Sequence, residues 1–184
     1  MDRPRLFVAA ELPKDSRVRL ARSFSAIPLS GGFRRIPEEQ LHITLKFLGA
    51  TDVTLLPELI AALEKATAPA EAMSVEFGHV VLMPQHRPRV VACAVSAPQE
   101  LSDLARSIDD ALYAARIAQP ERRIFRPHIT LARVSTTPAP ADVAALTSWQ
   151  PVKDDILIDS ISLFESVLKP SGPVYTILNT FHLA

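Results

Sequence analysis

The cleanest alternation in the chain runs over residues 41–48, where Leu41, Ile43, Leu45 and Phe47 interleave with His42, Thr44 and Lys46. A period of two is a strand with one buried and one polar face. His42, Thr44 and Lys46 are therefore expected on the polar face, and Phe47 on the buried face beside Ile43 and Leu45. Residues 6–10 are apolar throughout and read as a buried strand. The segment 12–15 turns into an amphipathic helix reaching about residue 26, with Val18, Leu20, Ala21 and Phe24 as its apolar positions. A loop is expected at 28–32. Gly49 closes the alternating strand, and Asp52 or Thr54 caps a second helix at 55–66.

Further along, 73–83 and 89–95 read as strands joined by the loop 84–88. The longest helix is expected at 98–117, with Leu101, Leu104, Ala105, Ile108, Leu112 and Ala115 at helical spacing. A strand at 129–134 is entered through Pro127, which biases Arg126 toward extended geometry. The Pro/Ala-rich stretch 136–141 is the best linker candidate. Two closing strands, 156–166 and 174–183, flank a turn at 169–173. Strands and helices alternate unevenly, with hairpins at the end, which favours α+β over a doubly wound parallel sheet.

The strongest chemical signal is a repetition: His42-Ile43-Thr44-Leu45 recurs unchanged as His128-Ile129-Thr130-Leu131. An identical tetrapeptide in two strand-like settings calls for an internal repeat. It implies two lobes in approximate two-fold relation, each giving one strand to a shared cleft. In each strand the histidine and threonine, two residues apart, share a face. The cleft floor then carries two imidazoles and two hydroxyls. Histidine titrates near neutrality, so one copy can be neutral while the other is charged, as general acid–base chemistry needs. The threonines are short donors for phosphate oxygens. His79, His86 and His182 lack this setting and read as structural or surface residues.

Composition narrows the substrate. Hydrophobic content of 48% and 184 residues suffice for a real core, as one large domain or two small lobes. Lys+Arg and Asp+Glu both count 20, so no general basic field exists to coat nucleic acid. The cations instead gather at the repeats: Lys46 after the first, Arg122, Arg123 and Arg126 before the second, and Arg133 after it. Arg34, Arg35, Arg87 and Arg89 lie near the motifs in sequence. A neutral protein with a basic cleft suits a small anion or a strand end. Phe7, Phe47, Phe125 and Tyr175 are candidates for stacking on a base. No carboxylate stands two to four residues from either repeated histidine, no HExxH spacing occurs, and Cys93 is the only cysteine. No metal, no cofactor and no disulfide are expected. No apolar run reaches the roughly 18 residues of a membrane span and no signal-peptide pattern is present, so the expectation is a cytoplasmic, monomeric protein with no membrane association.

At these residues the chain resembles the two-histidine (2H) phosphoesterase superfamily, defined by two HxTx motifs, and within it the RNA 2′,3′-cyclic phosphodiesterase or 2′-5′ RNA ligase-like branch. The resemblance rests on Arg5-Leu6-Phe7-Val8-Ala9, on residues 41–49, on Pro88-Arg89-Val90 and on residues 125–133. Leu163-Phe164-Glu165-Ser166 and Gly172-Pro173-Val174-Tyr175 complete it. One departure is Ala92, near a place where an aromatic commonly follows Pro88-Arg89-Val90. The resemblance implies a single domain over 1–184, built as two pseudo-symmetric α+β lobes with one HxTx motif each (42–45 and 128–131). It implies hydrolysis of a 2′,3′-cyclic phosphate end of RNA, or of a nucleotide, to a 2′-phosphomonoester without a metal, and weak 2′-5′ ligation in reverse. His42 would be the proton donor and His128 the acceptor, an order that the symmetry of the two motifs leaves open. Thr44 and Thr130 would hold the phosphate, with Lys46, Arg126, Arg133, Phe7 and Tyr175 around the substrate. A non-catalytic clamp for RNA ends, or a phosphodiesterase acting on small cyclic nucleotides, would use the same cleft.

Overall fold

The computed structural model describes residues 3–170 and 172–184. In chain order it contains β1 (Arg5–Glu11), α1 (Lys14–Ser25), β2 (Phe33–Arg35), β3 (His42–Ala50), α2 (Leu56–Thr67), β4 (Met73–Met83) and β5 (Val90–Ser96). There follow α3 (Gln99–Ala114), β6 (His128–Val134), α4 (Pro140–Ser148), β7 (Asp155–Ile158), β8 (Ser160–Lys169) and β9 (Gly172–His182). The expected α+β class holds.

Every strand pair is antiparallel, and the order is β7-β4-β5-β6-β3-β1-β8-β9, with β2 added to β6. The centre of this sheet explains the repeat. The two halves, β7-β4-β5-β6 and β3-β1-β8-β9, meet where Ile43 of β3 pairs with Ile129 of β6. These are the same residue of the two tetrapeptides, so the local two-fold axis passes between them.

The sheet's two faces differ in what covers them. Alternate residues of β1 separate cleanly: Leu6, Val8 and Ala10 join the main core, whereas Phe7 and Ala9 join Phe164 in a small second cluster on the other face. The helices supply the main core. In α1 the stripe Ser16, Leu20 and Phe24 is buried, and in α3 Leu101, Leu104, Ala105, Ile108 and Leu112 are buried. Ile43, Leu45, Ile129 and Leu131 pack into the same core. The opposite face carries the small cluster of Phe7, Ala9 and Phe164, with His42 beside it.

Several expectations change. Residues 156–166 form two strands, separated at Asp159 because β7 pairs with β4 in one half and β8 with β1 in the other. The stretch 136–141 is no domain linker; it leads into α4, whose buried Asp142 accepts from the backbone and hydroxyl of Ser30 at 2.8 and 2.5 Å and from the Ala139 amide at 3.1 Å. Of the turn expected at 169–173, Ser171 lies outside the described residues. Ala115 is exposed beyond the end of α3 rather than on its buried stripe.

Candidate active site

Antiparallel pairing of Ile43 with Ile129 puts His42 and Thr44 on the same sheet face as His128 and Thr130, each histidine beside the partner strand's threonine. Each imidazole is oriented the same way. His42 Nδ1 lies 2.7 Å from the Gln40 carbonyl, and His128 Nδ1 lies 2.8 Å from the Arg126 carbonyl. A carbonyl only accepts, so Nδ1 carries the hydrogen in both rings and Nε2 is the nitrogen left able to exchange a proton. In His42, Nε2 stands 3.1 Å from the Thr44 hydroxyl. Gln40 is itself tied down, its side-chain amide donating to the Pro173 carbonyl at 2.9 Å.

A β-bulge follows each motif and decides what else reaches the cleft. In the β1–β3 ladder Ala9 pairs with Thr44 but Val8 with Lys46, so Leu45 has no partner. In the β5–β6 ladder Ala92 pairs with Thr130 but Val91 with Ala132, leaving Leu131 without one. One inserted residue inverts the alternation beyond it. Lys46 therefore turns away from the histidines. It is buried, it pairs with Asp109 of α3, and its Nζ donates to the Gln119 carbonyl at 2.8 Å. The expected substrate contact of Lys46 is replaced by this structural ion pair. Phe47 moves the opposite way: it is 71% exposed, not buried with Ile43 and Leu45, and lines the cleft. Arg133 is its counterpart in the second half and lines the cleft too.

The cleft has a volume of about 290 Å³. Its walls bring together His42, Thr44, Thr130, Arg133, Phe7 and Tyr175 from the expected set. His128 is half-buried on the same face, close enough for its charge to act on His42. Arg126 contributes its carbonyl to His128, while its side chain is exposed and does not line the cleft. Phe125 packs against the main core instead of offering a stacking surface. Unanticipated lining residues are Arg5, Arg34, Gln40 and Ser166. Arg34 had the signal of lying near the first motif in sequence, and Arg5 and Ser166 stood in segments that carry the resemblance; Gln40 had none.

Aromatic rings surround His42. Its ring is 5.0 Å from Phe7, 5.6 Å from Tyr175 and 6.1 Å from Phe164, centroid to centroid. Burial among them lowers the His42 pKa to about 4; the Gln40 carbonyl opposes this, and the positive charges of His128 and Arg133 reinforce it. Among the described residues no group of three or more His, Cys, Asp or Glu side chains is placed to hold a metal ion, and no helix is long and apolar enough to cross a membrane.

The same frame is found in known proteins. An RNA 2′,3′-cyclic phosphodiesterase of Thermus thermophilus is 32% identical over 97% of this chain and 90% of its own length. Proteins of that name from Archaeoglobus fulgidus and Bacillus subtilis are 28% and 26% identical, covering 96% and 99% of this chain and 99% and 98% of their own. Among solved structures, TT0787 of Thermus thermophilus superimposes with a TM-score of 0.80 at 31% identity, over 97% of both chains. Escherichia coli LigT complexed with 3′-AMP superimposes at 0.73 and 22% identity, over 100% of this chain and 99% of its own, a likeness of fold. A family model spans residues 13–168, which include both histidine motifs, both bulges and the strands that carry them. With that match, the chain belongs to the 2′-5′ RNA ligase superfamily.

Proposed function

We propose that this protein opens 2′,3′-cyclic phosphate ends of RNA to 2′-phosphomonoesters, acting in the cytoplasm as a monomer and as one two-lobed domain over 1–184. The observation that carries this reading is the pair of Nε2 atoms, each fixed by a backbone carbonyl behind it and flanked by threonines on a common face. The names and full-length coverage of the relatives support the substrate class.

The chemistry is an in-line displacement at phosphorus. Water attacks as one histidine takes its proton, the P–O3′ bond breaks, and the other histidine protonates the departing 3′ oxygen. The phosphate stays on O2′. Thr44 and Thr130 donate to the non-bridging oxygens, and Arg133 neutralises their charge. Replacing water by a 5′-hydroxyl gives a 2′-5′ linkage, the ligase direction.

The family resemblance makes His42 the acid and His128 the base. For that order the bound phosphate must recharge His42, whose pKa of about 4 leaves it neutral in the empty cleft at pH 7. That same observation favours the reverse order, with His42 as base. An aryl phosphodiester separates the two, because nitrophenolate leaves without a proton. The histidine variant that keeps its activity there lacks the acid; the one that stays inactive lacks the base.

The primary test is turnover of a short RNA bearing a 2′,3′-cyclic phosphate, with the product isomer read by phosphorus NMR. A 2′-monophosphate from the wild type in the presence of EDTA, and none from His42→Ala or His128→Ala, is the expected result. A wild type that binds such ends without turning them over would make the cleft a phosphate clamp.

A further inference from the structure

The two histidine motifs differ immediately upstream. Each ring is held by the carbonyl of the residue two positions earlier, Gln40 for His42 and Arg126 for His128. The residue in between is Leu41 in one copy and Pro127 in the other. A proline confines the residue before it to extended backbone. The direction of the Arg126 carbonyl is therefore restricted by the chain itself, and the Arg126 side chain is left exposed. Leu41 imposes no such restriction on Gln40.

The side chain of Gln40 takes the place of that proline. Gln40 ends a single 3-10 turn, Glu38–Gln40, closed by the Leu41 amide donating to the Glu38 carbonyl at 3.1 Å. One such turn is a weak restraint. The Gln40 side-chain amide adds a second, donating at 2.9 Å to the Pro173 carbonyl. Pro173 is a firm landing point, because it pairs with Leu168 in the β8–β9 ladder. Its neighbours close over the same region. Gly172 has φ of +126°, and a Cβ there would stand 2.8 Å from Nη1 of Arg34, the residue that faces Arg133 across the β2–β6 pair. Tyr175 meets the His42 ring edge-on, with centroids 5.6 Å apart. Gln40 thus bridges β9 and the ring it orients.

The hydrogen on Nδ1 matters for either role of His42. A neutral imidazole carries one hydrogen, on one nitrogen or the other. A base is neutral before proton transfer and an acid is neutral after it. In both cases the Gln40 carbonyl keeps that hydrogen on Nδ1 and leaves Nε2 to exchange the proton with the substrate. If the carbonyl turns away, the hydrogen is free to sit on Nε2, and the nitrogen that faces the substrate is blocked.

Resting on the function proposed above, we infer that Gln40 is a positioning residue for the reaction: its side-chain bond to Pro173 fixes the carbonyl that sets the tautomer and direction of the His42 ring, as Pro127 fixes the carbonyl behind His128. The two halves meet one requirement by different means, one through the chain and one through a contact with β9.

Gln40→Met removes the amide at nearly constant length and leaves the carbonyl. On a short RNA with a 2′,3′-cyclic end, kcat should fall by roughly tenfold to a hundredfold with KM changed less than about twofold, as for an interaction that acts on the transition state. Nitrogen-15 NMR of the imidazoles at pH 8 reads the tautomers directly. Wild type should carry the hydrogen on Nδ1 of both rings. Gln40→Met should show His42 divided between two tautomers and His128 unchanged, and Pro127→Ala should show the converse. Gln40→Asn, whose amide falls one methylene short of Pro173, should match Gln40→Met and replaces it if that variant does not fold. Unaltered kcat, with or without a raised KM, a His42 tautomer that is mixed in wild type or unchanged in the variants, or equal mixing in both rings would overturn the assignment. A wild type that turns nothing over, with His42 alone altered in Gln40→Met, would sink the hydrolase and keep Gln40 as the residue that sets the ring.

Discussion

The imidazole of His42 lies across the ring of Phe7, centroids 5.0 Å apart and planes 30° from parallel. This contact excludes water from one side of the ring, and its consequence is thermodynamic as well as catalytic. The folded protein holds His42 at a pKa of about 4, against 6.5 for an ordinary histidine, chiefly because burial penalises the charged form.

A histidine with a depressed folded pKa is protonated more readily in the unfolded chain. Its contribution is fully present above pH 6.5 and is lost as pH falls toward 4, at most on the order of 3 kcal/mol. Urea unfolding of wild type should weaken more steeply over that window than that of His42→Gln. Parallel pH curves for the two proteins would show that His42 titrates as an ordinary histidine.

Phe47 presents its ring to solvent in the cleft, 6.1 Å from the ring of Phe7. Phe47→Ala should change stability by less than about 1 kcal/mol, since little packing is lost. Stacking on a base contributes about 1–3 kcal/mol, so KM for an RNA end should rise by roughly fivefold or more with kcat less affected. A large drop in melting temperature with KM intact would return Phe47 to a core role.

Lys46 behaves oppositely. It is buried against Asp109, whose other oxygen accepts from the Glu121 amide at 2.8 Å. Lys46→Met alone leaves that carboxylate without its partner and should cost about 3–5 kcal/mol, whereas Lys46→Met with Asp109→Leu should recover much of the loss. Denaturant midpoints decide it. Substrate affinity should follow folding in both variants; a KM increase at full stability would restore Lys46 to the substrate site.

Cys93 faces the main core, and burial pushes its thiol up to about 12. A thiol held protonated and covered is a poor nucleophile. Aromatic disulfide reagents at pH 8 should label the native protein far more slowly than the urea-unfolded chain; equal rates would place Cys93 in an opening segment.

The α+β class, the helices α1, α2 and α3, and the four residues His42, Thr44, His128 and Thr130 were legible along the chain. Each depends on local periodicity or on an identity between two tetrapeptides, and neither needs a partner to be visible. The short strand β2 and the helix α4 were not legible. Phe33–Arg35 is a strand because β6 offers it an edge, and Pro140–Ser148 carries no amphipathic stripe beyond the buried Asp142 and Leu146.

The rest of the cleft was decided in three dimensions. A period of two put Lys46 with the histidines and Phe47 in the core, and the bulge at Leu45 exchanged them. That bulge is a property of the β1–β3 ladder, whose register no run of residues in β3 alone can express. The facing of Arg34 and Arg133 likewise exists only through β2 joining β6. The chain by itself determined that each imidazole shares a strand face with its own hydroxyl, because strand alternation is intrinsic to the backbone; the pairing of Ile43 with Ile129 brought the two faces together. Only the tertiary structure decided which cations and aromatics stand beside them, because cross-strand register is set between segments distant in sequence.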